Sequence, residues 1–179
     1  MSSDCFPVTI QEGNTDKDGV NHYTEVPVDE YPEFLKTVAG HLYRVMYENS
    51  YVVWWYGMQW HDTVMQTLLD VGFKVNPIPA IWNKNIPGQT ASPDTTLGSS
   101  YEPFFVARKG MPKLRRPGRS NVFDFSALHN SKKIHATERP LDLMLEILDT
   151  FAWPNAVVLS PFLGSGNTLR AADRDWETH

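Results

Sequence analysis

Three observations on the 179-residue chain predict an α/β fold with a largely parallel sheet. Stretches with apolar residues at three- and four-residue spacing alternate with short β-branched and aromatic runs. Those short runs are continuous rather than alternating, as in strands covered on both faces. An apolar run late in the chain leads directly into a glycine turn and another helix. A composition of 41% hydrophobic and 21% charged residues is that of a globular protein, and the length suits one domain with its own core.

The first helix is read from Asp29 to Met46, where Tyr31, Phe34, Leu35, Val38, Leu42, Val45 and Met46 share one face. Tyr51 to Tyr56 (YVVWWY) is short and uniformly apolar, which suits a buried strand. A second helix runs from about Gln59 to Val71, stopped by Gly72. Phe73 to Trp82 and Tyr101 to Ala107 read as strands, the first pushed toward an edge or a bulge by Pro77 and Pro79, and Asn83 to Ser100 is the loop between them. Leu141, Met144, Leu145, Leu148 and Phe151 mark a third helix, with Thr137 as its candidate cap and Pro140 in its first turn. Ala156 to Leu159 (AVVL) reads as a buried strand, followed by a helix from about Thr168.

Several function classes drop out. A formal charge of −5 gives no global attraction to nucleic acid, so any polyanion site must be local. Cys5 is the single cysteine and no histidine clusters with it, which argues against a disulfide framework and a structural zinc and makes the cytoplasm the default compartment. Tyr51 to Tyr56 is far shorter than the roughly 20 residues of a membrane helix, and no basic leader precedes an apolar stretch.

The segment Ala156 to Ala172, AVVLSPFLGSGNTLRAA, carries the most chemistry. A strand ending in Gly164 and Gly166 and opening a helix can cradle a carboxylate or phosphate on its free N–H groups; a plain strand-to-helix turn has the same glycines. Gly166, Asn167 and Thr168 lack the lysine of a phosphate-gripping P-loop, and Leu169 stands where a G-x-G-x-x-G turn has its third glycine. The run Arg108 to Arg119 (RKGMPKLRRPGR) concentrates Arg108, Lys109, Lys113, Arg115, Arg116 and Arg119 without an acid, a candidate phosphate-binding surface or a solvated loop. Trp54, Trp55, Tyr56 and Trp60 fit a core better than a base-stacking platform.

SPFLGSGNT resembles the D-P-F-x-G-S-G-x-T cofactor loop of the amino-group DNA methyltransferases, which modify adenine N6 or cytosine N4. HATERP at His135 to Pro140 resembles the family's H-x-T-x-K-P segment, SYEPFFVARKG at Ser100 to Gly110 its Y-E strand, and IWNK at Ile81 to Lys84 its I-W-x-K segment. The order, with the cofactor loop last, is that of the permuted group, including phage- and prophage-type enzymes. The resemblance implies a Rossmann-like fold and one methyltransferase domain over 1–179. Residues 1–82 would be its catalytic half, 83–134 a loop-rich target-recognition insert and 135–179 its cofactor half.

The cofactor implied is S-adenosylmethionine, held by Thr137, Arg139, Pro140, Ser160, Phe162, Gly164, Ser165, Gly166, Asn167 and Thr168; no metal is implied. The partner is double-stranded DNA, bound through the basic run, with adenine N6 favoured over cytosine N4. Asp4 and Phe6 correspond to the catalytic tetrapeptide, a carboxylate for the target amino group and a ring for the flipped base. Asp4, Cys5, Phe6, Pro7 departs from D-P-P-Y by lacking the paired prolines. Ser160 stands where the family has Asp, and Arg139 where it has Lys. The stretch after the turn, DRDWETH, offers no apolar strand ending in a ribose-binding acid, with Glu177 the nearest. These departures predict a fragment truncated at both ends, with weak or no activity. The rival readings are a non-catalytic DNA-binding remnant and an RNA or small-molecule methyltransferase.

Overall fold

The structure is a computed structural model that describes residues 26–88, 90, 92–129, 133, 138–162 and 164–177. Helix α1 spans Tyr31–Val45, with Pro32 in its first turn, where a missing N–H costs nothing. Strand β1, Ser50–Trp55, follows. A 3-10 turn at Met58–Trp60 leads into α2, His61–Val71, which Gly72 ends at φ 113°, in the left-handed region that glycine enters freely. The proline argument holds for the next stretch. Instead of one strand from 73 to 82, the chain forms β2 at Lys74–Val75 and β3 at Ala80–Asn83, separated by Pro77 and Pro79.

Strand β4, Tyr101–Lys109, is the longest, and β5, Val122–Asp124, has no counterpart in the expected elements. Helix α3 spans Leu141–Phe151, with Pro140 as the residue preceding its first turn; Thr137, expected to cap it, lies outside the described residues. Helix α4 spans Asn167–Glu177. The long loop between β3 and β4 is pinched where Gly88 meets Gly98. A Cβ on Gly88 would stand 2.1 Å from the Gly98 carbonyl oxygen, an approach only glycine permits.

The sheet order is β1-β4-β3-β5, with β2 pairing β4 beside β3. β1, β2 and β3 each pair antiparallel with β4, and β3 pairs parallel with β5. β1, β2, β3 and β5 therefore share one direction. The expected parallelism is present in strand direction, but β4 runs the other way in their midst, so most of the hydrogen-bonded ladders are antiparallel.

Alternation along β1 and β4 divides the core in two. Val52, Trp54, Phe105 and Ala107 face α1 and α2, where they pack with Tyr31, Leu35, Val64 and Leu68. Trp55 and Phe104 face α3 and α4 and pack with Trp82, Phe123, Leu143, Ile147 and Ala171. The aromatic cluster is core, as read: Trp54, Trp55 and Tyr56 are buried, with Tyr56 stacked on Phe105 at 4.5 Å.

The clearest correction concerns Ala156 to Leu159. It is not a strand among the described elements, and Val157 and Leu159 are 81% and 59% exposed. An apolar run becomes a buried strand only when neighbours satisfy its N–H and C=O groups, and no described strand lies against it.

Candidate functional site

Strands β1, β3 and β5 end at Trp55, Asn83 and Asp124, and the antiparallel β4 begins at this end with Tyr101 and Glu102; β2 ends further along β4, at Val75 opposite Ala107. In open α/β sheets, ligands bind beyond the carboxyl ends of the strands. Here the segments around residues 139 and 167 converge.

Arg139 is buried and donates from Nε and Nη2 to Glu102 Oε2 at 3.1 and 2.8 Å. Its guanidinium lies 4.0 Å from the Trp55 ring centroid, a cation over an aromatic face. The second Glu102 oxygen takes Lys84 Nζ at 2.8 Å. Burial pushes the Glu102 carboxyl up, but Arg139 and Lys84 outweigh it and hold the group below the usual carboxylate range.

The chain then crosses to the glycine turn through one side chain. Asn167 is buried at the start of α4, and its Nδ2 donates to Glu138 Oε1 at 2.9 Å and to the Arg139 carbonyl at 2.8 Å. Its Oδ1 accepts from Arg170 at 3.0 Å. The glycine turn and the segment before α3 thus meet in space across 28 residues of sequence. Gly164 and Gly166 both have positive φ, 54° and 76°, which lets the turn expose N–H groups at the start of α4. The Ser165 hydroxyl is buried with no hydrogen-bond partner among the described residues.

A cavity of about 950 Å³ runs from this turn along the free edge of β1, between α1 and α3. Ser160, Phe162 and Thr168 line its end at the turn, while Met144, Ile147, Leu148 and Val157 to Leu159 line its length. Phe162 also contacts Phe34 of α1 at 6.2 Å between centroids. Pro140 is buried and does not line the cavity. Ser160 donates to the Phe162 carbonyl at 3.4 Å, so its hydroxyl is already partly engaged. The orphaned Ser165 hydroxyl beside the start of α4 and a mainly apolar cavity near the top of the size range of small-molecule sites suit an amphipathic cofactor.

The basic run lies elsewhere. Lys109 pairs with Ser50, at the far end of β4 from Glu102; the seven steps from one to the other span about 23 Å at strand rise. Four of its six cations are engaged internally. Lys109 Nζ donates to the Tyr43 and Met46 carbonyls at 2.8 and 2.9 Å, closing the end of α1. Arg115 and Arg116 bridge to Asp149, Arg116 and Arg119 to Glu146, and Arg119 also covers the Phe123 ring. Arg108 and Lys113 are exposed. Asp4, Phe6 and Thr137 lie outside the described residues.

Sequence reasoning missed Glu102, Glu138, Lys84 and Trp55 as site components. Glu102 and Glu138 sit inside the very motifs quoted, yet nothing in their spacing shows that they meet Arg139 and Asn167.

Comparison with known proteins points to one family. A family model described as DNA methylase, of the N6/N4 type, matches residues 13–175. The protein described as methylase YubD of Escherichia coli (strain K12) is 28% identical over 144 residues, 80% of this chain and 60% of its own. The chain therefore spans 60% of the length of that relative. M1.HpyAVI, solved with S-adenosylmethionine, superimposes with a TM-score of 0.69 at 24% identity, covering 83% of this chain and 74% of its own. TTHA0409 from Thermus thermophilus, described as a DNA modification methylase and also solved with S-adenosylmethionine, gives 0.62 at 21%, covering 87% and 73%. At such identities the likeness is one of fold, and the fold is that of the methyltransferases. The family-model match takes in most of the sequence, and the chain belongs to the N6/N4 DNA methylase family.

Proposed function

We propose that the chain is an S-adenosylmethionine-dependent methyltransferase acting on an exocyclic amino group of DNA, adenine N6 ahead of cytosine N4. The observation that carries this is the Asn167 bridge, which ties the segment before α3 to the glycine turn, beside which Ser160, Phe162 and Thr168 line the end of a cavity of about 950 Å³. When bound, S-adenosylmethionine supplies a methyl group made electrophilic by its sulfonium sulfur. The chain's own residues bind and orient. The α4 N–H groups and the Ser165 hydroxyl would face the cofactor's polar groups, and Phe162 and the apolar walls its uncharged body. Asp4 and Phe6 are proposed to meet the target base, the carboxylate accepting from the amino group and the ring stacking. Such a site works mainly by positioning.

Weak activity is part of the reading. Ser160 offers a hydroxyl, already donating to Phe162, where a carboxylate would meet an ammonium; a neutral partner forgoes a charge-assisted bond worth about 1.5–3 kcal/mol. Phosphate contacts are assigned to Arg108 and Lys113, the exposed members of the basic run without an ion pair among the described residues. Titration calorimetry with S-adenosylmethionine, followed by transfer of labelled methyl to mixed-sequence DNA, tests the proposal. Binding with slow transfer, raised by Ser160→Asp, is the expected result; no cofactor binding by either chain would overturn it.

A further inference from the structure

We propose that Glu102 is a positioning residue for the cofactor end of the molecule, acting through Arg139 and Asn167 to hold the glycine turn and the first turn of α4. The inference rests on the function proposed above. Its basis is a continuous relay from the middle strand to the helix. Glu102 on β4 fixes Arg139 by two hydrogen bonds to one oxygen, across 37 residues of sequence. Trp55 on the neighbouring β1 fixes the plane of the same guanidinium from one face. With its side chain so held, Arg139 presents its carbonyl to Asn167, and the adjacent Glu138 offers its carboxylate to the same Nδ2 group.

Asn167 in turn sets α4, both as its first residue and by accepting from Arg170 one turn on. The main chain there bonds from Arg170 N to the Gly166 carbonyl at 2.9 Å, so the relay ends on Gly166, in the turn that would face the cofactor. Glu102 touches nothing in the cavity itself. It acts at a distance, on a turn whose two glycines hold no conformation by themselves. A flexible cradle must be ordered on binding, and a pre-ordered one binds more tightly.

An ion pair that only stabilised the fold would affect binding no more than any other lost contact. The experiment therefore compares Glu102→Gln with Val64→Ala, which removes packing on the opposite face of the sheet, matching the two by melting temperature. Glu102→Asp, keeping the charge, serves as the conservative rescue and as the fallback should Glu102→Gln fail to fold. Expected for Glu102→Gln are a tenfold or larger rise in the dissociation constant for S-adenosylmethionine, a matching acceleration of Arg170 amide hydrogen exchange, and a raised KM for the cofactor with kcat little changed. Glu102→Asp should recover part of each, and Val64→Ala should move none of them selectively. Arg170 exchange in Glu102→Gln no faster than in Val64→Ala overturns the relay, whatever the wild type binds. Selective acceleration in a chain that never binds S-adenosylmethionine upholds the relay and overturns the cofactor reading instead.

Discussion

Two opposing effects act on the Glu102 carboxyl, and which of them wins decides how the site answers pH. Burial disfavours its charge, yet Arg139 and Lys84 bring it below the usual range. A carboxyl whose pKa is depressed by folding contributes stability above its unfolded value, about 4.3, and loses that contribution as pH falls through the folded value. The protection factor of the Arg170 amide, its exchange rate taken relative to that of an unprotected amide at the same pH, should therefore stay flat from pH 8 to about 5 and fall only below the ordinary glutamate pKa of about 4.3. Loss of protection already between pH 6 and 5 would show that the cations do not prevail. Gly166 makes a second residue-scale case. A Cβ there meets nothing within 4 Å, but φ is +76°, so Gly166→Ala should cost about 1–2 kcal/mol through backbone strain alone. Gly166→Asn should cost less, since asparagine tolerates that region. Urea denaturation of the three proteins gives the ranking, and equal losses for Ala and Asn would point to packing instead.

Among the elements, the helices were legible because each needs only its own periodic face: α1, α2 and α3 fall within a few residues of the apolar stripes that predict them. The break between β2 and β3 was equally legible, since a proline in a ladder is a local fact. Ala156 to Leu159 was not, because an apolar run states what it would bury and not whether a neighbouring strand exists to bury it. The basic run shows the same limit in electrostatics. Counting its cations could not reveal Glu146 and Asp149, which answer Arg116 and Arg119 from α3, 27 to 33 residues away in sequence. Replacing Arg108 and Lys113 with glutamine should flatten the slope of log DNA affinity against log salt by about two units, at roughly 0.9 per phosphate. Replacing Arg119 should leave the slope nearly unchanged and lower stability by about 1 kcal/mol, the worth of a hydrogen-bonded pair near the surface. A slope that responds to Arg119 as strongly as to Arg108 and Lys113 would return the whole run to the DNA surface.

For the molecule as a whole, the fold class and the shared direction of most strands followed from the alternation of helix and apolar run, whereas strand order did not. No local pattern says that β4 lies between β1 and β3 or that it runs against them. That reversed middle strand has a consequence for how the chain finds its shape. Partners in the β3–β4 ladder are about 20 residues apart at their nearest, while β1 and β4 partners are about 50 to 60 apart, a closure that costs about 1 kcal/mol more in chain entropy. The β3–β4 ladder should accordingly form in the folding transition state, with β1 docking onto it late. Ile81→Val should then slow refolding, and Val52→Ala should chiefly speed unfolding. Stopped-flow chevrons of the two variants read this directly, and the opposite pattern would mean that β1 joins β4 first. On the expected order, the last strand to arrive is the one whose outer edge borders the cavity, so the space beside the glycine turn is closed by the final step of assembly rather than carved into a finished core.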